Sequence, residues 1–171
     1  MRSWLPRRSS KKSLTGLVIR VTERVAAASV DSAEGRWLIS AQGKLLEKDN
    51  GAIQAIQVTG LTAVGPYAGG MLQAAEEESL TLDYVKQLLA VLESNGMLGD
   101  CTALDCTSAI SMTLDYGIYR LRLPRGGDFE YYIQLARSAL SQGLEEGKLQ
   151  EGQGGVLDLT VAEGKAYFRS D

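Results

Sequence analysis

The segment between Thr81 and Gly96 constrains the fold of this chain more than any other part of the sequence. Its apolar residues recur at helical spacing and share one face; they are Leu82, Val85, Leu88, Leu89 and Leu92. Thr81 suits the N-terminal cap of a helix, and Gly96 suits its end. The pattern predicts a helix over residues 82–95, whose apolar stripe has to be buried against another element, most simply a sheet.

A second amphipathic segment follows Asp128, a residue type that caps helices well. Its apolar residues again fall on one face; they are Phe129, Ile133, Ala136 and Leu140. The sequence therefore predicts a second helix over residues 128–142, which frays towards Gly143 or Gly147.

Alternating apolar and polar residues around the two helices predict strands. The expected strands cover residues 36–46, as a hairpin that turns at Gly43, and residues 53–58, 110–114, 118–123, 156–160 and 165–169. A β-branched run at 17–21 also predicts a strand, which 26–30 could extend. The glycine-rich stretch 60–78 predicts a loop, after a strand that ends at Gly60. This order indicates an α+β fold: a mixed, largely antiparallel sheet with two packed helices.

Residue types that most enzymes use are missing from the sequence. The chain has no histidine, which excludes Ser-His-Asp and Cys-His catalysis and most catalytic zinc sites. The glycine pairs at 126–127 and 154–155 lack the lysine and the serine or threonine of a phosphate-binding loop. We therefore predict no catalytic residue, no metal, no nucleotide or other cofactor, and no turnover.

The two cysteines, Cys101 and Cys106, are too few for a four-cysteine metal site. A disulfide between them would suit an oxidising compartment. However, five residues of straight strand span ~16 Å, whereas the Cα atoms of a disulfide lie within ~7 Å of each other. We predict two free thiols.

Two pairs of acidic residues remain as candidates for acid/base chemistry: Asp105 with Asp115, and Glu145 with Glu146. Neither pair lies in a recognisable motif, and acidic residues are usually solvated surface groups. A hydrolase that uses such carboxylates is an alternative function, and a deep pocket with two close carboxylates would favour it.

Five basic residues lie within the first twelve positions, well before the first acidic residue, Glu23; they are Arg2, Arg7, Arg8, Lys11 and Lys12. Without these five, 13 basic and 21 acidic residues remain, a net charge of −8. That acidic body excludes nucleic acid as a partner. The basic start suits a membrane surface, an acidic partner or a solvated end. No apolar run approaches the ~20 residues that span a bilayer, so we expect a soluble chain whose membrane anchor, if it has one, lies outside it.

The last predicted strand, residues 165–169, ends the chain and is expected at an edge of the sheet. A free edge exposes main-chain groups that can pair with a strand of another protein. The candidate partner-binding residues belong to this strand and to the turn before it; they are Val161, Lys165, Ala166, Tyr167, Phe168 and Arg169. Aromatic residues are frequent at binding hot spots. The alternative is that Phe168 fills the core while Tyr167 is half exposed.

Four short segments, in this order and spacing, resemble the bacterial cell-division family FtsQ/DivIB. They are residues 17–24 (LVIRVTER), 36–46 (RWLISAQGKLL), 58–61 (VTGL) and the closing segment 156–167, with Gly164 in its turn. Three alanines, 26–28, stand where the family usually has a Pro-Val-Ala-like segment. The resemblance covers roughly residues 14–169.

The resemblance implies that residues 1–47 are a partial POTRA-like segment and that residues 48–171 are a β domain. It implies a non-enzymatic scaffold, without a small-molecule substrate, that binds FtsB/DivIC-like and FtsL-like division proteins through the C-terminal end of this chain. It also implies a location outside the cytoplasm at the division septum, held at the cell membrane by a single helix that this chain lacks. A general POTRA-like chaperone or secretion module is the alternative, although such modules usually come as tandem repeats and no second repeat is present.

Overall fold

One mixed sheet with two helices forms the fold. The computed structural model describes residues 16–19 and 25–171. The strands are β1 (Ala28–Ser32), β2 (Gly35–Ile39), β3 (Leu45–Lys48), β4 (Ile56–Ala63), β5 (Cys101–Asp105), β6 (Ser111–Tyr116), β7 (Tyr119–Pro124), β8 (Gly155–Asp158) and β9 (Tyr167–Ser170). The helices are α1 (Ser79–Ser94) and α2 (Phe129–Glu145), and short 3-10 turns lie at Glu76–Glu78 and Leu98–Asp100. The predicted α+β class is confirmed.

The nine strands lie in the order β3-β2-β1-β4-β5-β6-β7-β8-β9. Five neighbouring pairs are antiparallel, and the pairs β1/β4, β4/β5 and β7/β8 are parallel. A parallel connection has to cross over one face of the sheet, and a helix usually makes that crossing. Here α1 connects β4 to β5 and α2 connects β7 to β8, and because the two helices contact each other they cover the same face.

The two predicted apolar stripes are buried under the helices. Their fully or nearly buried members are Val85, Leu88, Leu89 and Leu92 on α1, and Phe129, Ile133, Ala136 and Leu140 on α2. They join one core with the inward residues of the central strands, among them Val58, Leu104, Leu114 and Leu121. Asp128 caps α2 as predicted, since its side chain accepts a hydrogen bond from the main-chain N–H of Tyr131 at 3.1 Å.

The predicted cap of the first helix is wrong. Helix α1 begins at Ser79, and Thr81 lies buried inside its first turn, where its hydroxyl accepts a hydrogen bond from Arg125. A threonine hydroxyl can bond to a residue elsewhere in the fold instead of capping a helix. Here that residue is Arg125, which directly follows β7. Gly96 follows the helix with a φ of 66°, in agreement with its predicted role at the helix end.

The predicted end of a strand at Gly60 is also wrong, because β4 continues through it to Ala63. Gly60 has a φ of 83°, and around it the pairing with β1 shifts from Ser29–Gln57 to Asp31–Thr62. The extra residues form a bulge, which a glycine with positive φ accommodates without breaking the strand. A Cβ atom at position 60 would lie 2.6 Å from the main-chain carbon of Cys106, so the neighbouring chain also requires a glycine here.

The start of the described chain differs from prediction as well. Residues 17–19 form no strand and their three apolar side chains are exposed, while residues 20 and 21 lie outside the described part. The strand expected as a continuation at 26–30 is instead β1, which forms an antiparallel hairpin with β2. Gly35, with a φ of 114°, opens β2 after the turn that begins at Ser32.

Strands β1 to β3 are hydrogen-bonded into the same sheet as β4 to β9. The predicted boundary between residues 47 and 48 therefore falls at the end of β3. The assignment of residues 1–47 to a POTRA-like segment stays a prediction.

Candidate functional site

The two edges of the sheet, β3 and β9, differ in how much of them is covered. Segment 69–72 lies along the start of β3: the N–H of Leu45 donates to the Gly70 carbonyl at 2.8 Å, and the N–H of Gly69 donates to the Leu45 carbonyl at 2.9 Å. In the part of the chain that the structure describes, no strand lies on the outer side of β9. An uncovered edge presents unpaired main-chain donors and acceptors.

Two hydrogen bonds show which groups of β9 face outward. Leu159 donates its N–H to the Arg122 carbonyl of β7 at 2.9 Å, and Asp171 donates its N–H to the Gly154 carbonyl at 3.4 Å. Because bonded pairs alternate along an antiparallel ladder, Tyr167 and Arg169 bond to β8 through Asp158 and Val156. The main-chain N–H and C=O groups of Phe168 and Ser170 therefore point away from the sheet, towards the open edge.

The side chains of β9 are divided between the two faces of the sheet. Phe168 lies opposite Leu157 on the helix-covered face, and its ring meets that of Tyr119 edge-on at 6.2 Å between centroids. Tyr167, which is 46% exposed, and Arg169 project from the other face. Phe168 thus fills the margin of the core, as the alternative held, and Tyr167 is the aromatic side chain available to a partner.

Strand β9 begins two residues later than predicted. Lys165 and Ala166 precede it, because the turn after β8 is longer than a tight hairpin: Gly164 has a φ of 69°, and the Lys165 N–H donates to the Ala162 carbonyl at 3.2 Å. Val161 lies in this turn and is 61% exposed.

A small hollow opens on the uncovered face beside β9. It has a volume of about 240 Å³, and its lining residues are Arg122, Val156, Asp158, Val161, Tyr167, Phe168 and Arg169. Arg122 and Asp158 form an ion pair at 3.4 Å, and Arg120 pairs with Asp171. Sequence alternation places Arg120 and Arg122 on one face, but their acidic partners depend on the pairing of β7 with β8 and of β8 with β9, which no local pattern indicates.

Two cations near this edge have no acidic partner among the residues that the structure describes. Within the described residues, the side chains of Lys165 and Arg169 make no ion pair or hydrogen bond, in contrast to Arg120 and Arg122. Both are exposed. The edge therefore carries local positive charge on a molecule whose net charge is −3.

In each candidate pair for acid/base chemistry, one carboxyl, that of Asp105 or Glu146, has a pKa below its ordinary value. A hydrogen bond from the Thr107 hydroxyl to Asp105 at 2.7 Å, with a second from the Thr107 N–H, lowers the pKa of that carboxyl. The ammonium group of Lys148 and the amide of Gln142 lower the pKa of Glu146. A carboxyl that donates a proton near neutral pH needs a raised pKa.

Asp105 and Asp115 lie diagonally across β5 and β6. Asp105 is paired with Thr113 and Asp115 with Ala103, on the sheet face that the helices leave uncovered. Neither Asp105 nor Asp115 lines the hollow beside β9.

The two cysteines are free thiols at opposite ends of β5, as predicted. Cys101 is the first residue of the strand and Cys106 follows its last, and both side chains are buried. Burial raises the pKa of each thiol to about 12. Such thiols are poor nucleophiles, since the thiolate is the reactive form.

Within residues 16–19 and 25–171, no group of three or more acidic or cysteine side chains is placed to hold a metal ion. Neither of the described helices has the length and apolar character that a bilayer crossing requires.

Comparison with known proteins gives no match, either to a protein-family model or to a curated protein. The fold and the site by themselves define a class of protein: an α+β domain in which the described residues cover part of one sheet edge and leave the other edge open.

Proposed function

We propose that this chain is the partner-binding part of a cell-division scaffold of the FtsQ/DivIB type, and that it is not an enzyme. The observation that carries the proposal is the open edge at β9, in a sheet whose opposite edge is partly covered. The segments that resemble the FtsQ/DivIB family, and the closing hairpin among them, support the same assignment. In this proposal the partners are FtsB/DivIC-like and FtsL-like division proteins.

The mode of binding is strand addition to β9. The outward N–H and C=O groups of Phe168 and Ser170 supply main-chain hydrogen bonds, which give affinity with little dependence on sequence. Tyr167 and the hollow beside it supply side-chain contacts on the uncovered face, which select the partner. Lys165 and Arg169 favour a partner strand with acidic side chains, and they disfavour pairing between two copies of β9.

The proposed location is outside the cytoplasm at the division septum. The chain would be held there by a single membrane helix. This part of the proposal is supported by the family resemblance alone.

Proline at position 170 tests the proposed binding mode. Ser170 is exposed, and its N–H points away from β8, so proline there removes a donor that only a partner strand would use. We expect Ser170→Pro to weaken binding of an FtsB/DivIC-like segment by about ten-fold or more, since one main-chain hydrogen bond is lost and the ring obstructs the edge.

The matched control is Ser170→Ala, which changes the side chain and keeps the N–H. Calorimetric titration should show unchanged affinity for this variant, and both variants should melt at the wild-type temperature. Equal affinities for Ser170→Pro and Ser170→Ala would show that the partner does not pair with β9.

A further inference from the structure

A second cavity, larger than the hollow beside β9, separates the start of α2 from the turn that follows β8. This cleft has a volume of about 490 Å³, which lies within the ~300–1,000 Å³ range of ligand-binding clefts. Tyr131 and Tyr132 of α2 form one side, and Thr160 and Glu163 of the turn form the other, with Asp128 at the end of the helix. The function proposed above does not use this cleft.

The charge of the cleft is negative. Its lining contains two carboxylates, Asp128 and Glu163, and neither lysine nor arginine. Asp128 uses Oδ1 to accept the Tyr131 N–H at 3.1 Å, which leaves Oδ2 free of that bond. Glu163 forms no ion pair or hydrogen bond with its side chain in the described part of the chain, and it is exposed. An anion would be repelled here, although the N-terminus of α2 is close, because Asp128 already caps that terminus.

Two aromatic rings give the cleft its second property. Tyr131 and Tyr132 meet edge-on with centroids 5.6 Å apart and an angle of 63° between their planes, and Tyr131 is 43% exposed. The face of a tyrosine ring attracts a cation, and guanidinium also stacks on it. Carboxylates beside an exposed tyrosine therefore match an arginine side chain, whose planar head donates to carboxylates and whose stem packs on apolar surface.

The position of the cleft connects it to the open edge. Glu163 precedes Tyr167, the first residue of β9, by only four positions. The end of a strand added to β9 would therefore leave the sheet beside the turn that forms one wall of the cleft. We propose that the cleft receives an arginine side chain of the partner, from the residues that flank the added strand. This inference rests on the proposed function for the identity of the partner, but the affinity of the cleft for arginine does not.

The proposal also specifies the charge pattern of the partner segment. Acidic side chains lie on the strand itself, near Lys165 and Arg169 of this chain. An arginine lies just beyond one end of the strand, near Asp128 and Glu163. A segment with this pattern binds in one register, because shifting it along β9 would bring like charges together.

A titration with a single blocked amino acid tests the cleft without the partner. The probe is Nα-acetyl-arginine N-methylamide, added to the full chain labelled with ¹⁵N. Saturable chemical-shift changes are expected for Asp128, Tyr131, Tyr132 and Glu163 in the millimolar range that one ion pair and one cation–π contact provide. The corresponding citrulline derivative, which has the same shape without the charge, should leave these signals in place.

Charge-matched variants make the test specific to the cleft. Glu163→Gln should weaken arginine binding about two- to five-fold, the range for one exposed ion pair. Glu145→Gln is the control, because it also removes one negative charge. Glu145 lies at the other end of α2, ~25 Å from Asp128, so this change should have no effect. The inference is overturned if the cleft signals do not move with arginine, if citrulline moves them equally, or if Glu145→Gln weakens binding as much as Glu163→Gln.

A second titration, with an FtsB/DivIC-like segment, tests the partner assignment. Glu163→Gln should weaken that binding too, and replacing the flanking arginine of the segment by citrulline should remove the difference between wild type and variant. If arginine alone binds the cleft but Glu163→Gln leaves the affinity for the segment unchanged, the assignment to the partner is wrong while strand addition stands. If the segment does not bind β9 in the first place, the proposed function fails and the partner assignment fails with it.

Discussion

Gly155 and Phe168 illustrate how the identity of one residue depends on its neighbour across the sheet. A Cβ atom at Gly155 would lie 2.7 Å from the ring of Phe168, which itself packs against Tyr119. Glycine at this position therefore lets the Phe168 ring lie over β8 and lets β9 approach closely. Because the Phe168 ring packs against β8 in this way, it is not available to a partner. Of the two aromatic residues of β9, only Tyr167 can face one.

Truncation of Tyr167 should separate binding from stability. We expect Tyr167→Ala to weaken binding of an FtsB/DivIC-like segment by at least ~1 kcal/mol, as for a hot-spot aromatic residue, without lowering the melting temperature. Tyr67→Ala is the control, since Tyr67 is 67% exposed in the loop next to the opposite edge. Calorimetry that finds equal affinities for the two variants would remove Tyr167 from the site.

The two thiols should differ in reactivity between the folded and unfolded states. With a pKa near 12 and buried side chains, Cys101 and Cys106 should resist iodoacetamide in the native protein at neutral pH. In denaturant without a reductant, mass spectrometry should show one added group on each. Full alkylation of the native protein would contradict their burial, and no alkylation in denaturant would indicate a disulfide.

The raised pKa of the two thiols also predicts that the protein loses stability at high pH. In the folded state the pKa of each thiol is about 12, above the ordinary value of 9.0. Their contribution to the free energy of unfolding is therefore complete below pH 9. It is lost as pH rises from about 9 towards 12, since the unfolded chain then releases protons that the folded chain retains.

At the scale of single elements, the sequence predicts the helices better than the strands. An apolar stripe over several helical turns, as in α1 and α2, consists of many apolar residues at the same spacing, each of which indicates a helix. Both stripes are buried as expected. A strand is short and depends on its neighbours. Gly60 shows the difference: a glycine ends many strands, but at this position a bulge and the closeness of Cys106 require one inside β4.

The stripe on α1 can be tested with two identical substitutions in one helix. Leu89 is fully buried, and Leu89→Ala should lower the free energy of unfolding by about 2–5 kcal/mol. Leu80 is 62% exposed, and Leu80→Ala should change it by less than ~0.5 kcal/mol. Urea unfolding that gives the same loss for both variants would contradict the packing of α1 on the sheet.

At the scale of the whole molecule, the identity of the edges follows from the order of the strands. The sequence predicts that the strand at residues 165–169 lies at an edge of the sheet, and β9 does so. It does not predict that segment 69–72 covers part of the other edge, nor that β7 and β8 pair in parallel and so bring Asp158 to Arg122. Both facts depend on contacts between residues far apart in the chain, and the cleft between α2 and the turn after β8 depends on the same contacts.

Hydrogen exchange at four consecutive main-chain amides tests the central claim most directly. In the free protein, Tyr167 and Arg169 bond to β8 and should exchange slowly, whereas Phe168 and Ser170 face the open edge and should exchange fast. When an FtsB/DivIC-like segment saturates the protein, the proposal predicts that the amides of Phe168 and Ser170 become protected while those of Tyr167 and Arg169 change little. Saturated binding that leaves Phe168 and Ser170 exchanging fast would show that the partner docks elsewhere and that β9 is not the site.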